Sequence, residues 1–255
     1  MASTAWPDGV GRIALETVDS TNQEAFRRLR AGAPAPFGVL ARRQAAGRGR
    51  RGRPWGAREG DLIASLALRP RALRPSAGLA EMATLSFVAG LAVADLVAQC
   101  APRARVQVKW PNDVLADGGK ISGVLLEADE AAVVIGVGVN LVARPDAALL
   151  EPTAAPTAAV SDYGSAPAPD LAAALLARAM AARLAVWATE GFAPIRAAWL
   201  TCAARLGEPI VARLSGEEVH GRFADVDPSG ALVLDTPQGV RRIAAADVFF
   251  PRAEG

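Results

Sequence analysis

The sequence predicts an α+β fold, with strands and helices over residues 1–206 and a small β-barrel over residues 207–255. Three observations carry this reading. As far as Arg205, alternating and Val-rich runs are interleaved with apolar segments of helical length. From Gly207 the texture changes to four short runs, PIVARL, VHGRFADV, GALVLDT and GVRRIAAADV, separated by the turns SGEE, DPSG and TPQG. The chain is also long and apolar enough, at 255 residues and 51% hydrophobic, for one large domain plus a small appendage.

In order, Gly11–Val18 reads as a strand. A helix follows, with Ser20 or Thr21 as cap, Gln23 or Glu24 closing a capping box, and Gly32 as stop. Phe37–Ala41 and Asp61–Leu68 read as strands flanking an Arg-Gly loop. Ser76–Gln99 reads as one long central helix. Its apolar part, Ala83–Leu96, contains Asp95 and is too short to span a bilayer, so burial is expected. Val106–Trp110 is a strand broken by Pro111, Ile121–Glu127 a strand entered through Gly118-Gly119, and Ala132–Leu141 a buried Val-rich strand. Pro145–Pro169 reads as an Ala/Pro-rich surface connection with room for a short helix. Leu171–Ala188 and Phe192–Arg205 read as amphipathic helices whose Leu175, Leu176, Trp187 and Trp199 belong to the core.

Net charge is only +2, too small for a dedicated duplex binder. Cys100 and Cys202 have neither metal spacing nor a disulfide framework, which fits a reducing, cytoplasmic setting. The N-terminus lacks signal-peptide organisation. Of 28 basic residues only Lys109 and Lys120 are lysines. Where arginine has replaced lysine so thoroughly, a retained lysine suggests a need for a compact ammonium.

Four segments carry chemistry. GRGRRGRPWG, Gly47 to Gly56, holds four arginines and four glycines between two strands. Its backbone can approach a phosphate closely and its guanidinium forks can grip one, and an anion is expected to order it. KWPNDVLADGGKISGVLLE places Lys120 at a strand start with Asn112 and Asp113 nearby, and Asp113 can hold a metal or position an amine. GVGVN, Gly136 to Asn140, lacks the third glycine of a dinucleotide fingerprint and fits a strand approached closely by a flat ligand. DSTN, Asp19 to Asn22, can meet a polar ligand head at a helix start. The single histidine, His220, joins no Ser-His-Asp or zinc set.

In this order, DSTN, RRQAAGRGRRGRPW, KWPNDV with GGKISGVLLE, GVGVN and a terminal small barrel, the chain resembles the biotin protein ligases from about Gly11 to Phe250. The resemblance implies a class II synthetase-like mixed sheet with helices, followed by an SH3-like barrel. It implies a two-step reaction, in which biotin and ATP give biotinyl-5′-AMP with Mg²⁺ assistance, and a lysine of a biotin carboxyl carrier domain then takes the biotin. It assigns biotin contacts to Ser20, Thr21, Asn22, Gln44, Gly47, Arg48, Gly49, Arg50, Lys120 and Gly123. Lys120 and Arg50 are its catalytic residues. Arg51, Arg53, Trp55, Asn112 and Asn140 are its ATP or adenylate residues, and Asp113 is a candidate metal ligand.

Met1–Val10 leaves no room for the winged helix of relatives that repress biotin genes, so no operator binding and no membrane partner are expected. Relatives occur as monomers and dimers, so a homodimer stays open. Asp61 in GDLIAS stands where relatives often have Asn, leaving its role undefined. Lipoate or octanoyl transferases share the fold class but would lack GRGRRGRxW. A nucleic-acid binder would show steep salt dependence without biotin dependence, and the retained Lys120 argues against a silent biotin-binding regulator.

Overall fold

The computed structural model describes residues 5–129, 131–145 and 156–250. Strand β1 (Gly11–Val18) leads through helix α1 (Thr21–Arg30) to β2 (Phe37–Gln44), and the crossover leaves β1 and β2 parallel. After the Arg-Gly loop come β3 (Leu62–Leu68), the short helices α2 (Pro70–Leu73) and α3 (Leu79–Ala83), and α4 (Leu85–Cys100). An antiparallel meander follows: β4 (Val106–Lys109), β5 (Asp113–Ala116), β6 (Gly119–Ala128) and β7 (Val133–Val139). Helices α5 (Pro169–Glu190) and α6 (Phe192–Thr201) complete the body. The sheet runs β1-β2-β3-β7-β6-β5-β4, so the Val-rich β7 lies at its middle, buried on both faces.

The two faces differ in their cover. α1 packs Ala25, Phe26 and Leu29 against Phe37, Val39, Ala67 and Val134. On the other face α4 is apolar all round, as a helix enclosed by sheet and other helices must be. It lies with α5 and α6 against Leu40, Ile135, Val137 and Val139. Trp187 and Trp199 are fully buried there.

The C-terminal sheet contains β8 (Pro209–Arg213), β9 (Glu218–Val226), β10 (Leu232–Thr236), β11 (Gly239–Ile243) and β12 (Asp247–Phe249) in the antiparallel, barrel-like order β11-β10-β9-β8-β12. It shares one hydrophobic core with the body. Edge-on ring contacts run from Phe192 to Phe87 (5.0 Å), from Phe87 to Trp199 (5.2 Å) and from Trp199 to Phe223 (6.5 Å). Each such contact contributes about 0.5–1.5 kcal/mol beyond burial. The Trp110 indole donates to the Gly230 carbonyl at 3.0 Å, and Arg196 bonds Asp225 and the Val226 carbonyl. These contacts fix the barrel relative to the sheet.

Several expectations need correction. The long helix is two, because Thr84 interrupts it; its hydroxyl donates to Glu81 and accepts from the buried Trp187 indole at 3.0 Å. Asp113–Ala116 is a strand that reads as loop because Pro111 and Gly118-Gly119 crowd its four residues. The last barrel run is two strands, broken around the buried Ala246, which makes five strands rather than four. α6 stops at Thr201 because Cys202 to Ala204 pair with Val108, covering the β4 edge. Residues 146–155 of the Ala/Pro-rich connection lie outside the described residues.

Candidate functional site

The cleft opens on the α1 face of the sheet. Its floor is two glycines in register, Gly123 of β6 and Gly138 of β7. The Trp55 ring rests on them: a Cβ on Gly138 would lie 2.2 Å from the indole and one on Gly123 3.1 Å from it. Glycine is required here by close approach, as GVGVN suggested. The Trp55 Nε1–H is buried without a hydrogen-bond partner, a donor that a ligand acceptor can satisfy.

At one end of this floor stands the start of α1. Ser20, Thr21 and Asn22 are all buried. The expected capping box does not form, and the Ser20 side chain makes no cap bond. Gln44 Oε1 accepts from the Thr21 amide at 2.7 Å and its hydroxyl at 3.0 Å. The Ser65 hydroxyl lies 2.7 Å from Thr21 Oγ1 and 2.6 Å from Asn22 Oδ1, and Asn22 donates to Glu127 at 2.6 Å. A Cβ on Gly136 would sit 2.5 Å from Asn22, so this strand face must stay bare. Asp19 engages Arg27 in a two-pronged pair that holds its carboxyl well below the usual range. Apart from Glu127, which accepts from Asn22, the side chains gathered here are neutral donors and acceptors, suited to a polar uncharged head group.

Lys120 enters from β6. Its strand start is pinned on both sides, with its amide donating to Pro156 at 2.6 Å and its carbonyl accepting from Ala158 at 2.9 Å. Asn140 reinforces this, donating to the Ala158 carbonyl at 3.0 Å. A bulge between Val114 and Leu115 of β5 shifts the register opposite Lys120. The ammonium pairs with Asp113 at 2.7 Å and lies 5.8 Å from the Trp55 ring centroid.

The Arg-Gly loop folds back on itself. Arg48 bridges to Pro54, the Gly49 amide donates to Arg53 at 2.7 Å, and the Trp55 amide donates to Gly47 at 2.9 Å. Arg51 and Gly52 take positive φ at the tip. The anion that orders the loop here is a carboxylate of the barrel. Asp247 lies 2.8 Å from Arg53, 3.2 Å from Arg51 and 3.7 Å from Arg50, and Arg50 also donates to the Ala246 carbonyl at 3.1 Å. Burial pulls the Arg50 guanidinium below its ordinary value. Arg48 stays exposed. Four cations, Lys120, Arg50, Arg51 and Arg53, thus face two carboxylates, Asp113 and Asp247. That surplus suits a polyanion.

Two amides expected on the nucleotide side are committed to scaffolding: Asn140 as above, and Asn112, which donates to the Val124 carbonyl at 2.6 Å. Asp61 is buried and accepts from the Leu141 amide at 2.8 Å, the Val142 amide at 3.2 Å and the Arg58 amide at 2.9 Å. It ties the foot of the loop to the end of β7. Asp61→Ala is expected to cost about 2–3 kcal/mol by orphaning buried donors, and Asp61→Asn distinctly less; urea denaturation measures both.

Sequence reasoning missed Ser65, Glu127 and Asp247. Glu127 ended a quoted motif and could have been found there; no sequence signal ties Asp247 to a loop 194 residues away. Among the described residues no three His, Cys, Asp or Glu side chains gather to hold a metal. Asp113 with a ligand's phosphates matches how Mg²⁺ is usually bound.

The model of the biotin/lipoate A/B protein ligase family matches residues 14–140, and that of the biotin protein ligase C-terminal domain matches residues 206–250. A biotin–[acetyl-CoA-carboxylase] ligase of Paracoccus denitrificans is 49% identical over 92% of this chain and 99% of its own length. The ligase of that name from Mycobacterium tuberculosis is 37% identical over 90% of this chain and 85% of its own. In structure, the Aquifex aeolicus biotin protein ligase in complex with biotin and ATP superposes with a TM-score of 0.79 at 24% identity, covering 94% of this chain and 99% of that one.

Proposed function

We propose a reaction for this cleft from the premise that the chain belongs to the biotin protein ligase family. It is an ATP-dependent ligase that activates biotin as biotinyl-5′-AMP and transfers it to a carrier protein. In the residue roles we infer, the biotin head lies against Ser20, Thr21, Asn22 and Gln44, and its chain takes the place over Gly123 and Gly138 that the Trp55 ring now fills, the ring shifting to cover it. The observation that carries this is the largely neutral polar cluster of Ser20, Thr21, Asn22 and Gln44 at one end of a glycine floor and the surplus of cations at the other.

The biotin carboxylate and the α-phosphate repel on approach. Lys120 stands where one ammonium can meet both, and its attraction grows as charge concentrates in the transition state. Asp113 holds that ammonium until the anions arrive. Arg50, Arg51 and Arg53 grip phosphate oxygens in exchange for Asp247. Mg²⁺, held by Asp113 and the phosphates, would offset phosphate charge. With the loop closed, Trp55 and Gly47 to Gly52 keep water from the mixed anhydride. The acceptor is a lysine of a biotin carboxyl carrier domain, and we place the reaction in the cytoplasm.

Incubating the chain with biotin and MgATP, with lipoate and octanoate in parallel, tests this by mass spectrometry. Biotinyl-AMP from biotin alone is expected; no adenylate from any acid by a folded chain overturns the reading. Arg50→Gly should still form the adenylate but release it at least about tenfold faster, having lost a charged contact. Biotinylation of bystander lysines reports the escape, and retention at the unaltered rate counts against the role.

A further inference from the structure

We propose that Glu127 is a positioning residue: acting through Asn22 and Ser65, it keeps the Thr21 hydroxyl an acceptor, so that the cleft selects a ring bearing N–H donors. This deepens the ligase reading above and rests on it. Strand alternation puts Glu127 on the α1 face of β6, the face of Gly123. Among the described residues it pairs with no Lys, Arg or His. Its carboxylate is spent instead on a neutral amide, accepting from Asn22 Nδ2 at 2.6 Å.

A carboxylate can only accept, and that sets the sense of the bonds beyond it. The Asn22 amide must turn its NH2 to Glu127 and its Oδ1 to Ser65. Oδ1 also only accepts, so the Ser65 hydroxyl, 2.6 Å away, gives its one proton there. Thr21 Oγ1 then stands between two oxygens with no proton to offer it. One is Ser65 at 2.7 Å, its proton spent. The other is Gln44 Oε1 at 3.0 Å, held as an acceptor by the Thr21 amide at 2.7 Å. Whichever of them takes the Thr21 proton, Oγ1 keeps only lone pairs for a ligand.

Without Glu127 the Asn22 amide is free to turn over. Ser65 would then receive from Asn22 and give its proton to Thr21, filling a lone pair that a ligand N–H would use. The ureido ring of biotin offers an N–H at both nitrogens. A cyclic carbamate, with one N–H replaced by oxygen, sets lone pair against lone pair and leaves a buried acceptor unpaired.

Glu127→Leu keeps the bulk and removes the acceptor. Calorimetry on the full chain compares biotin with its two carbamate analogues, each with one ureido N–H replaced by oxygen. Biotin affinity should fall about tenfold, the indirect loss of one charge-assisted bond. The preference for biotin over at least one analogue should narrow by a similar factor, and the KM for ATP should hold. Glu127→Gln restores an acceptor and should recover much of both losses. A purely structural Glu127 would weaken biotin and the analogues alike; an unmoved preference, or unchanged biotin affinity, overturns the proposal. In an Asn22→Ala background Glu127→Leu should cost nothing more, and a further loss there would mean that Glu127 does not act through Asn22, which also overturns it. Failure of the unaltered chain to bind biotin would instead strike the ligase reading.

Discussion

Lys120→Ala should lower biotinyl-AMP formation by about 10³-fold with the fold intact. The reason lies in where its charge sits. Its backbone is pinned between Pro156 and Ala158, so the alanine variant keeps the strand and loses only the ammonium. Asp113, deprived of its partner, then turns from a holder of the cation into a third negative charge facing the two reactants. Loss of attraction and gain of repulsion act on the same step. Single-turnover adenylate formation is the measurement, with circular dichroism to establish folding. Turnover within threefold of the unaltered chain would remove Lys120 from the chemistry.

Gly138→Val should weaken biotin binding by about 10²-fold, equivalent to about 3 kcal/mol of overpacking at a rigid floor. The nearest atoms to an added Cβ all belong to Trp55, at 2.2, 2.3 and 2.5 Å. The strand therefore accepts valine, which suits extended backbone, while the indole is driven out and the roof of the cleft lost. Thermal denaturation should change little; calorimetric titration with biotin should show the loss. Normal affinity would mean that the ligand does not use the bare floor at Gly138 or the Trp55 ring that covers it.

Much of this was legible in the chain. Periodicity placed β1, α1, β7 and the two late helices, because each carries its own apolar pattern and stop signal. The Arg-Gly loop and Lys120 stood out because their composition departs so far from their surroundings. β5 was hidden because four residues between Pro111 and Gly118 carry no readable period. The capping box was misread because Ser20, Thr21 and Asn22 look the same whether they serve their own helix or a cleft; only the position of Gln44 and Ser65 decides. Asp247 was invisible for a different reason. Its role is created by the docking of one domain on another, through Trp110, Arg196 and the line of aromatic rings.

The placement of the two lysines has a consequence for the chemistry of escape. An acyl phosphate that drifts from its cleft modifies primary amines and spares guanidinium groups, which stay protonated. Beyond its α-amino group, this chain offers such amines only at Lys109 and Lys120, both set along the cleft. Apart from that α-amino group, the exterior of the enzyme thus offers its own intermediate no primary amine. In a leaky variant the label would accumulate on neighbours rather than on the source, and biotin recovered on a side chain of the enzyme itself would report on the cleft interior.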